Sequence, residues 1–516
     1  MSTARYTFLL PWGLAVLSGL LLGLSQPKVD WAFLAWFAWV PLILAVRGRP
    51  AAEVFRYAFV THVVAFAILL YWIEVVVRVF GEAPFWLAWI PFLLLTLYCA
   101  LWMSLGFWWA RRIELRFPRL NILWTLPVLL TAFEWVRGRL FTGFPWGHPT
   151  YSQYEYLSVI QIADVVGIDG ILFVLVFSSV GLVAAGDWFR HRRGGMPAVV
   201  ALILLATTLL YGQVRLRSMA DLAERSEQSL RVGLLQGNIA QHEKWDGDFR
   251  TRTLDIYDRL STEAADRGAE LLIWPETAAP FYYRPRSSAE SVRVERMAQD
   301  TGTYKLFGAP ALEMRDGRPR HLNRAYLLDP NADLLGYYDK IHLVPFGEYL
   351  PLPMLFGWIE RLVPAVGNFA KGERYRVLAV PGGRFGTLIC FESIFPAESR
   401  EFVRNGADFL AVITNDAWFL ETSATYQHIG IAVLRAVENR VPVVQAANTG
   451  VTAVIDQDGT LRPALPLFEE GALVETLYFE RRETFYTRFG DVFAYGTLML
   501  TALSFIGVWR KRRQGE

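Results

Sequence analysis

The feature that most constrains this chain is a series of uninterrupted apolar runs, each near the length of a bilayer crossing. A hydrocarbon core needs roughly 20 apolar residues per helical span. Seven runs approach that length in the first part of the chain, near Phe8–Leu24, Trp31–Val46, Phe55–Val77, Pro84–Ala110, Ile122–Val136, Ile162–Ala185 and Pro197–Gly212. An eighth follows near Val492–Val508. With 53% apolar residues and 19% charged ones over 516 residues, the composition excludes a disordered, collagen-like or disulfide-framework chain and leaves a membrane protein. The first run has Arg5 before it, as a signal peptide would, but no convincing small-x-small cleavage site closes it and another run follows at once. It reads as an uncleaved first helix.

Basic residues in short loops set orientation, because their excess stays on the cytoplasmic side. Fifteen Lys and Arg fall on one side, among them Arg47, Arg49, Arg111, Arg112, Arg192, Arg193 and the tail Arg510–Arg513, against four on the other, Lys28, Arg78, Arg137 and Arg139. Both termini are therefore expected inside, and the segment between the seventh and eighth spans outside. The expected organisation is a seven-span region over 1–213, an extracytoplasmic domain over 214–490, and an eighth helix with a basic tail over 491–516. A net charge of +2 gives no basic field of the kind nucleic-acid binding needs.

The insert reads differently. Strand-length apolar runs at Arg231–Ile239, Glu270–Pro275, Tyr304–Ala309, Arg324–Asp329, Phe385–Cys390, Asp408–Thr414 and Val441–Ala446 alternate with helical patterns around Phe249–Arg267, Ser288–Thr301, Ala397–Asn405 and Gln427–Arg440. That alternation predicts an α/β or layered αββα domain with its own core.

Three strings place a reactive side chain after an apolar stretch: Leu272–Glu276 (Leu-Ile-Trp-Pro-Glu), Tyr338–Glu348 with Lys340 near its start, and Gly386–Glu392 with Cys390 inside it. A strand end fixes the backbone while leaving the side chain open. Singly, Glu276 reads equally as a helix-start carboxylate, Lys340 as a solvated amine and Cys390 as a small core residue. The seven histidines form no metal-ligand spacing, and no phosphate-binding or dinucleotide fingerprint occurs, so neither metal nor cofactor is implied. Glu134 and Arg137, three apart in an apolar run, read as a pair; His62 and Glu74 are polar groups in another such run, meaningful for assembly or for function.

In combination, the Glu, Lys and Cys strings resemble the nitrilase superfamily of carbon–nitrogen hydrolases. Together with the spans, the strings Glu134–Arg137, Phe144–Trp146, Gln236–Asn238, Thr414–Phe419 and Asn448–Gly450 make the chain similar to that superfamily's membrane branch, the apolipoprotein N-acyltransferases. The resemblance implies an eight-span helical bundle carrying an αββα nitrilase-like sandwich. It implies Glu276 as general base, Cys390 as nucleophile and Lys340 as oxyanion stabiliser, the last assisted by the backbone N–H of Phe391. It suggests that Glu348 and Glu392 line the site, with Trp245 and Asn415 as further candidates. The partners it implies are a phospholipid acyl donor, a diacylated apolipoprotein acceptor and the bilayer, with the chain in a bacterial inner membrane and its catalytic domain on the periplasmic side. The apolar segment Pro351–Ile359, containing Met354, Phe356 and Trp358, is expected to be a lid that dips into the interface; a buried core helix is the competing reading. A membrane-anchored amidase using water as acceptor, and a transporter carrying a degenerate enzyme domain, are the alternative functions. Intact Glu276, Lys340 and Cys390, and the lack of an inverted repeat, argue against the transporter.

Overall fold

A computed structural model describes residues 2–226, 228–241, 244, 249–351, 368–480 and 482–513. The chain divides into two compact units, one of residues 1–75, 84–218 and 489–516, the other of 76–83 and 219–488.

The first unit is helical. Among the described residues five helices are long and apolar enough to cross a bilayer: Ala51–Leu70, Phe85–Arg116, Ala163–His191, Met196–Met219 and Val492–Lys511. Five of the eight expected spans thus meet that length and composition. Leu9–Leu24 is apolar but shorter. The expected run Trp31–Val46 is split into a 3-10 turn, Ala32–Trp36, and a seven-residue helix, Val40–Val46. Ile122–Arg137 is a 16-residue helix capped by Asn121, whose side chain accepts from the Leu123 N–H. Hydropathy registers apolar length and is blind to such breaks, which is why the runs outnumber the long helices.

Two buried charges in this unit are paired with each other. Arg137 donates from Nε to Glu134 (2.9 Å) and from Nη2 to the other carboxylate oxygen, as their spacing predicts, while Nη1 reaches the carbonyls of Phe144 (2.6 Å) and Trp146 (3.0 Å). His62 is fully buried with Nδ1 3.2 Å from Ser104 Oγ.

Among the described residues the second unit contains two sheets. The first runs in the order β11-β1-β2-β3-β4-β5, where β1 is Ser229–Gln236, β2 Leu271–Ile273, β3 Tyr304–Arg315, β4 Arg318–Leu328, β5 Leu334–Asp339 and β11 Gly471–Tyr478. The second runs β10-β9-β8-β7-β6, with β6 Val377–Val380, β7 Gly383–Ile389, β8 Phe409–Thr414, β9 Val443–Ala447 and β10 Ala453–Ile455. In each the central strands, β1-β2-β3 and β7-β8-β9, are parallel, and antiparallel strands close the edges. β1 packs across on β9, while helices Phe249–Asp266 and Pro396–Arg404 cover the outer faces with Ala289–Thr301 and Ala424–Asn439. The layers are therefore helix, sheet, sheet, helix. Central strands are buried on both faces, so they read as continuous apolar runs, and β8 is buried at all six residues.

Candidate active site

Each of the three expected residues stands just beyond a strand: Glu276 after β2, Lys340 after β5, Cys390 after β7. The turn carrying Glu276 is fastened to β3, since Trp274 N–H donates to Leu306 O (2.8 Å) and Ala279 N–H to Gly308 O (3.0 Å). Position 308 must be glycine for that approach: a Cβ there would lie 2.5 Å from Thr277 N and 2.8 Å from Glu276 Cα. Lys340 continues β5 opposite Asn323 of β4, its N–H donating to Asn323 O at 2.9 Å.

Cys390 adopts φ +53°, left-handed for a residue with a side chain. Such a conformation costs about 1–3 kcal/mol and persists only where its surroundings enforce it. Ser393 Oγ donates to Cys390 O (2.9 Å) and lies 2.7 Å from His428 Nε2, and His428 Nδ1 is 3.2 Å from Asp416 Oδ1. This buried chain ties the turn to β8's end and to helix Ala424–Asn439. Glu392 fastens it from the other side. Its carboxylate accepts from Tyr338 OH (2.7 Å), Ile341 N–H (2.7 Å), His342 N–H (3.1 Å) and Ile389 N–H (2.8 Å). One fully buried side chain thereby joins the loop of Lys340 to the loop of Cys390.

The three functional groups converge. Lys340 Nζ is 3.5 Å from Glu276 Oε1 and 2.9 Å from Glu348 Oε1, and both the lysine and Glu276 lie within electrostatic range of Cys390. Burial opposes the charge on Lys340, but the carboxylates of Glu348 and Glu276 outweigh it and hold the ammonium well above its ordinary range. The Cys390 thiol is pushed up by burial and by Glu276, with Lys340 opposing. The half-buried sulfur therefore rests as a thiol and needs a base at hand to become a nucleophile.

Asn415, expected as a lesser candidate, uses its backbone: its N–H donates to Glu276 Oε2 at 3.1 Å, while its side chain bonds Gln241 and Asn448. Phe391 is half-buried, edge-on to Phe395 at 5.1 Å. Trp245, Trp358 and most of Pro351–Ile359 lie outside the described residues. Two residues escaped the sequence reading. Asn323 donates from Nδ2 to both Glu276 (2.7 Å) and Glu348 (3.1 Å), and Lys244, 3% exposed, donates to the main-chain carbonyl of Glu276 at 3.0 Å. Neither belongs to a string with a strand-end reactive group. Asn323 is recognisable only once β4 and β5 are in register. Among the described residues no group of three His, Cys, Asp or Glu side chains could hold a metal ion.

Residues 18–181 match the family model for the apolipoprotein N-acyltransferase N-terminal domain, and 231–485 match that for carbon–nitrogen hydrolase. An apolipoprotein N-acyltransferase of Geobacter metallireducens is 42% identical over 95% of both chains. The chain belongs to the apolipoprotein N-acyltransferase family. A relative of the same description from Chlorobaculum tepidum is 31% identical over 97% of both chains. A solved amidase from Nesterenkonia sp. superposes with a TM-score of 0.36 at 25% identity, over 49% of this chain and 91% of that one. Family membership makes the chain a multi-pass membrane enzyme of lipoprotein biosynthesis, an N-acyltransferase with a nitrilase-like α/β domain.

Proposed function

We propose that Glu276, Lys340 and Cys390 carry a two-step acyl transfer from a glycerophospholipid to the N-terminal α-amine of a diacylglyceryl-cysteine apolipoprotein. The observation that carries this reading is the approach of Lys340 Nζ to Glu276 and Glu348, within electrostatic range of the Cys390 thiol. In the first step Glu276 takes the thiol proton as sulfur adds to the ester carbonyl. Negative charge grows on the carbonyl oxygen, where Lys340 and the Phe391 N–H stabilise it more than the ground state. Collapse breaks the ester C–O bond; the departing oxygen takes the proton back from Glu276, and a lysophospholipid leaves behind a Cys390 thioester. In the second step the neutral α-amine attacks that thioester and Glu276 accepts its proton. Sulfur leaves, is reprotonated, and the product is an amide.

Glu348 serves Lys340, keeping it protonated and oriented, and Glu392 aligns the two loops that carry Lys340 and Cys390. Asn415 acts through the backbone N–H on Glu276. Trp245 and Trp358 remain assigned to substrate, and Pro351–Ile359 to a lipid-admitting lid. The three shorter apolar runs complete eight crossings around domain limits at 213 and 490. The basic-residue asymmetry puts the α/β domain on the periplasmic side of a bacterial inner membrane. A donor with two fatty chains requires a site at the bilayer, since each buried methylene is worth about 0.8 kcal/mol.

The test is incubation with radiolabelled phospholipid. Label should appear on the protein, map to Cys390 and be released by neutral hydroxylamine, as a thioester is. Label on another residue, or label stable to hydroxylamine, refutes the assignment.

A further inference from the structure

We infer that Lys244 is a positioning residue of the acyl-transfer site, a second buried cation that balances the negative charge as it passes between Glu276 and Cys390. The inference rests on the roles proposed above for those two residues.

Among the described residues the charges around Cys390 do not balance with Lys340 alone. Two carboxylates, the buried Glu276 and the half-buried Glu348, face that ammonium, which stands closer to Glu348 (2.9 Å) than to Glu276 (3.5 Å). Asn323 donates to both carboxylates but brings no charge. Behind the nucleophile a third carboxylate, Asp416, is turned towards His428 and Thr414. A buried carboxylate short of a counter-charge is costly. Lys244 supplies that charge from β1's following loop. Its side chain is 3% exposed, and among the described residues its ammonium donates to the Glu276 main-chain carbonyl at 3.0 Å.

Its electrostatic partners are Glu276 and Cys390, the two groups between which the proton moves. Burial draws the Lys244 amine down to about 8, against both of them. With both lysines charged and Cys390 a thiol, two carboxylates meet two ammoniums. When the proton passes from sulfur to Glu276, the total is unchanged and the negative centre shifts from carboxylate to sulfur. A cation bonded to the Glu276 backbone stays with both states, so the transfer leaves no uncompensated charge. The same bond holds the turn that aims the Glu276 carboxyl.

The test is the rate of Cys390 alkylation by iodoacetamide across pH 6–10, on full-length protein in detergent, with the modified cysteine identified by mass spectrometry. Among the described residues the titratable groups facing this thiol are Glu276, Lys340, Asp416 and Lys244, and only the last is varied. Lys244→Met should slow alkylation about tenfold at pH 6–8, where the wild-type amine carries its charge, and the two profiles should converge above that range. Acylation by labelled phospholipid should slow comparably. Lys244→Arg should restore both towards wild type. Lys244→Gln keeps a donor for the carbonyl without the charge; it should retain wild-type thermal stability and still show the slower alkylation. A Lys244→Gln profile that coincides with wild type overturns the inference, as does stability lost with no slowing in any folded variant. Alkylation needs no lipid: if wild type failed to accept an acyl group, the proposed function would fail while this measurement still read Lys244.

Discussion

Each unit of this chain holds a carboxylate, a cation and a thiol close together. In the helical unit these are Glu134, Arg137 and Cys99, with Arg137 Nη1 3.7 Å from the sulfur. In the α/β unit they are Glu276, Lys340 and Cys390. The inventories match, and the difference is what each group has left to do. Arg137 cannot lose its proton, its guanidinium is shared among Glu134 and the carbonyls of Phe144 and Trp146, and its outer plane lies over the Phe66 ring. Cys99 is fully buried in the middle of the helix Phe85–Arg116, in ordinary helical conformation. Cys390 is half-buried on a left-handed turn beyond a strand, with a carboxylate and an ammonium within electrostatic range. A buried ion pair beside a sulfur is therefore no catalytic site unless the thiol is accessible and the base can take its proton.

The comparison breaks most sharply at the two sulfurs. Cys390→Ala should reduce acyl transfer at least about 10³-fold with the fold intact, whereas Cys99→Ala should leave transfer within about twofold of wild type. Loss of transfer in Cys99→Ala, assayed with labelled phospholipid, would erase the distinction.

The cations come next. Lys340→Met should lower kcat about 10²–10³-fold with little change in KM, the signature of an interaction made in the transition state. Arg137→Met should instead cost about 3–5 kcal/mol of stability by stranding Glu134, read as a lower unfolding temperature, with kcat per folded molecule unchanged. Exchange of these two signatures would reverse the assignment.

Glu392→Gln should show a mixed effect. The amide puts donors among Tyr338 OH and three backbone N–H groups, costing about 1–3 kcal/mol, and kcat should fall because the Lys340 and Cys390 loops lose their common anchor. A stability loss with unaltered kcat would separate that anchor from catalysis.

The smallest effect concerns pH. Burial pushes Glu398 up to about 8 from 4.5, with Lys340 and Lys371 opposing. A raised carboxyl stabilises the fold fully below its unfolded value, and the contribution is lost as pH rises through the folded one. Between pH 6.5 and 8 its partner His342, drawn down to about 4 by burial, stays neutral. Over that window Glu398→Gln should flatten the decline in stability by on the order of 1 kcal/mol, measured by thermal unfolding at successive pH values. An equally steep decline would show that another group titrates there.

Much of this architecture could be read directly from residues. The central strands β1, β2, β3, β7, β8 and β9 carry runs of apolar side chains because both faces are covered, and the four covering helices lie within a few residues of their expected limits. The edge strands β5, β6, β10 and β11 went unread. β5 is exposed at Leu334 and Leu335 and buried only at Tyr338 and Asp339, so its pattern matches neither a core strand nor a clean alternation. Yet β5 is the strand that delivers Lys340.

By itself the sequence determined the division into apolar spans and an α/β insert, the chain order of Glu276, Lys340 and Cys390, and the pairing of Glu134 with Arg137. These follow from local hydropathy, from strand-end motifs and from helical spacing. The tertiary structure alone decided that Asn323 bridges Glu276 and Glu348, that Glu392 joins two loops, that Lys244 reaches the Glu276 backbone, and that Cys390 sits at positive φ. Those contacts join residues far apart in the chain through strand register and loop closure, and neither is encoded in the neighbours of any one residue.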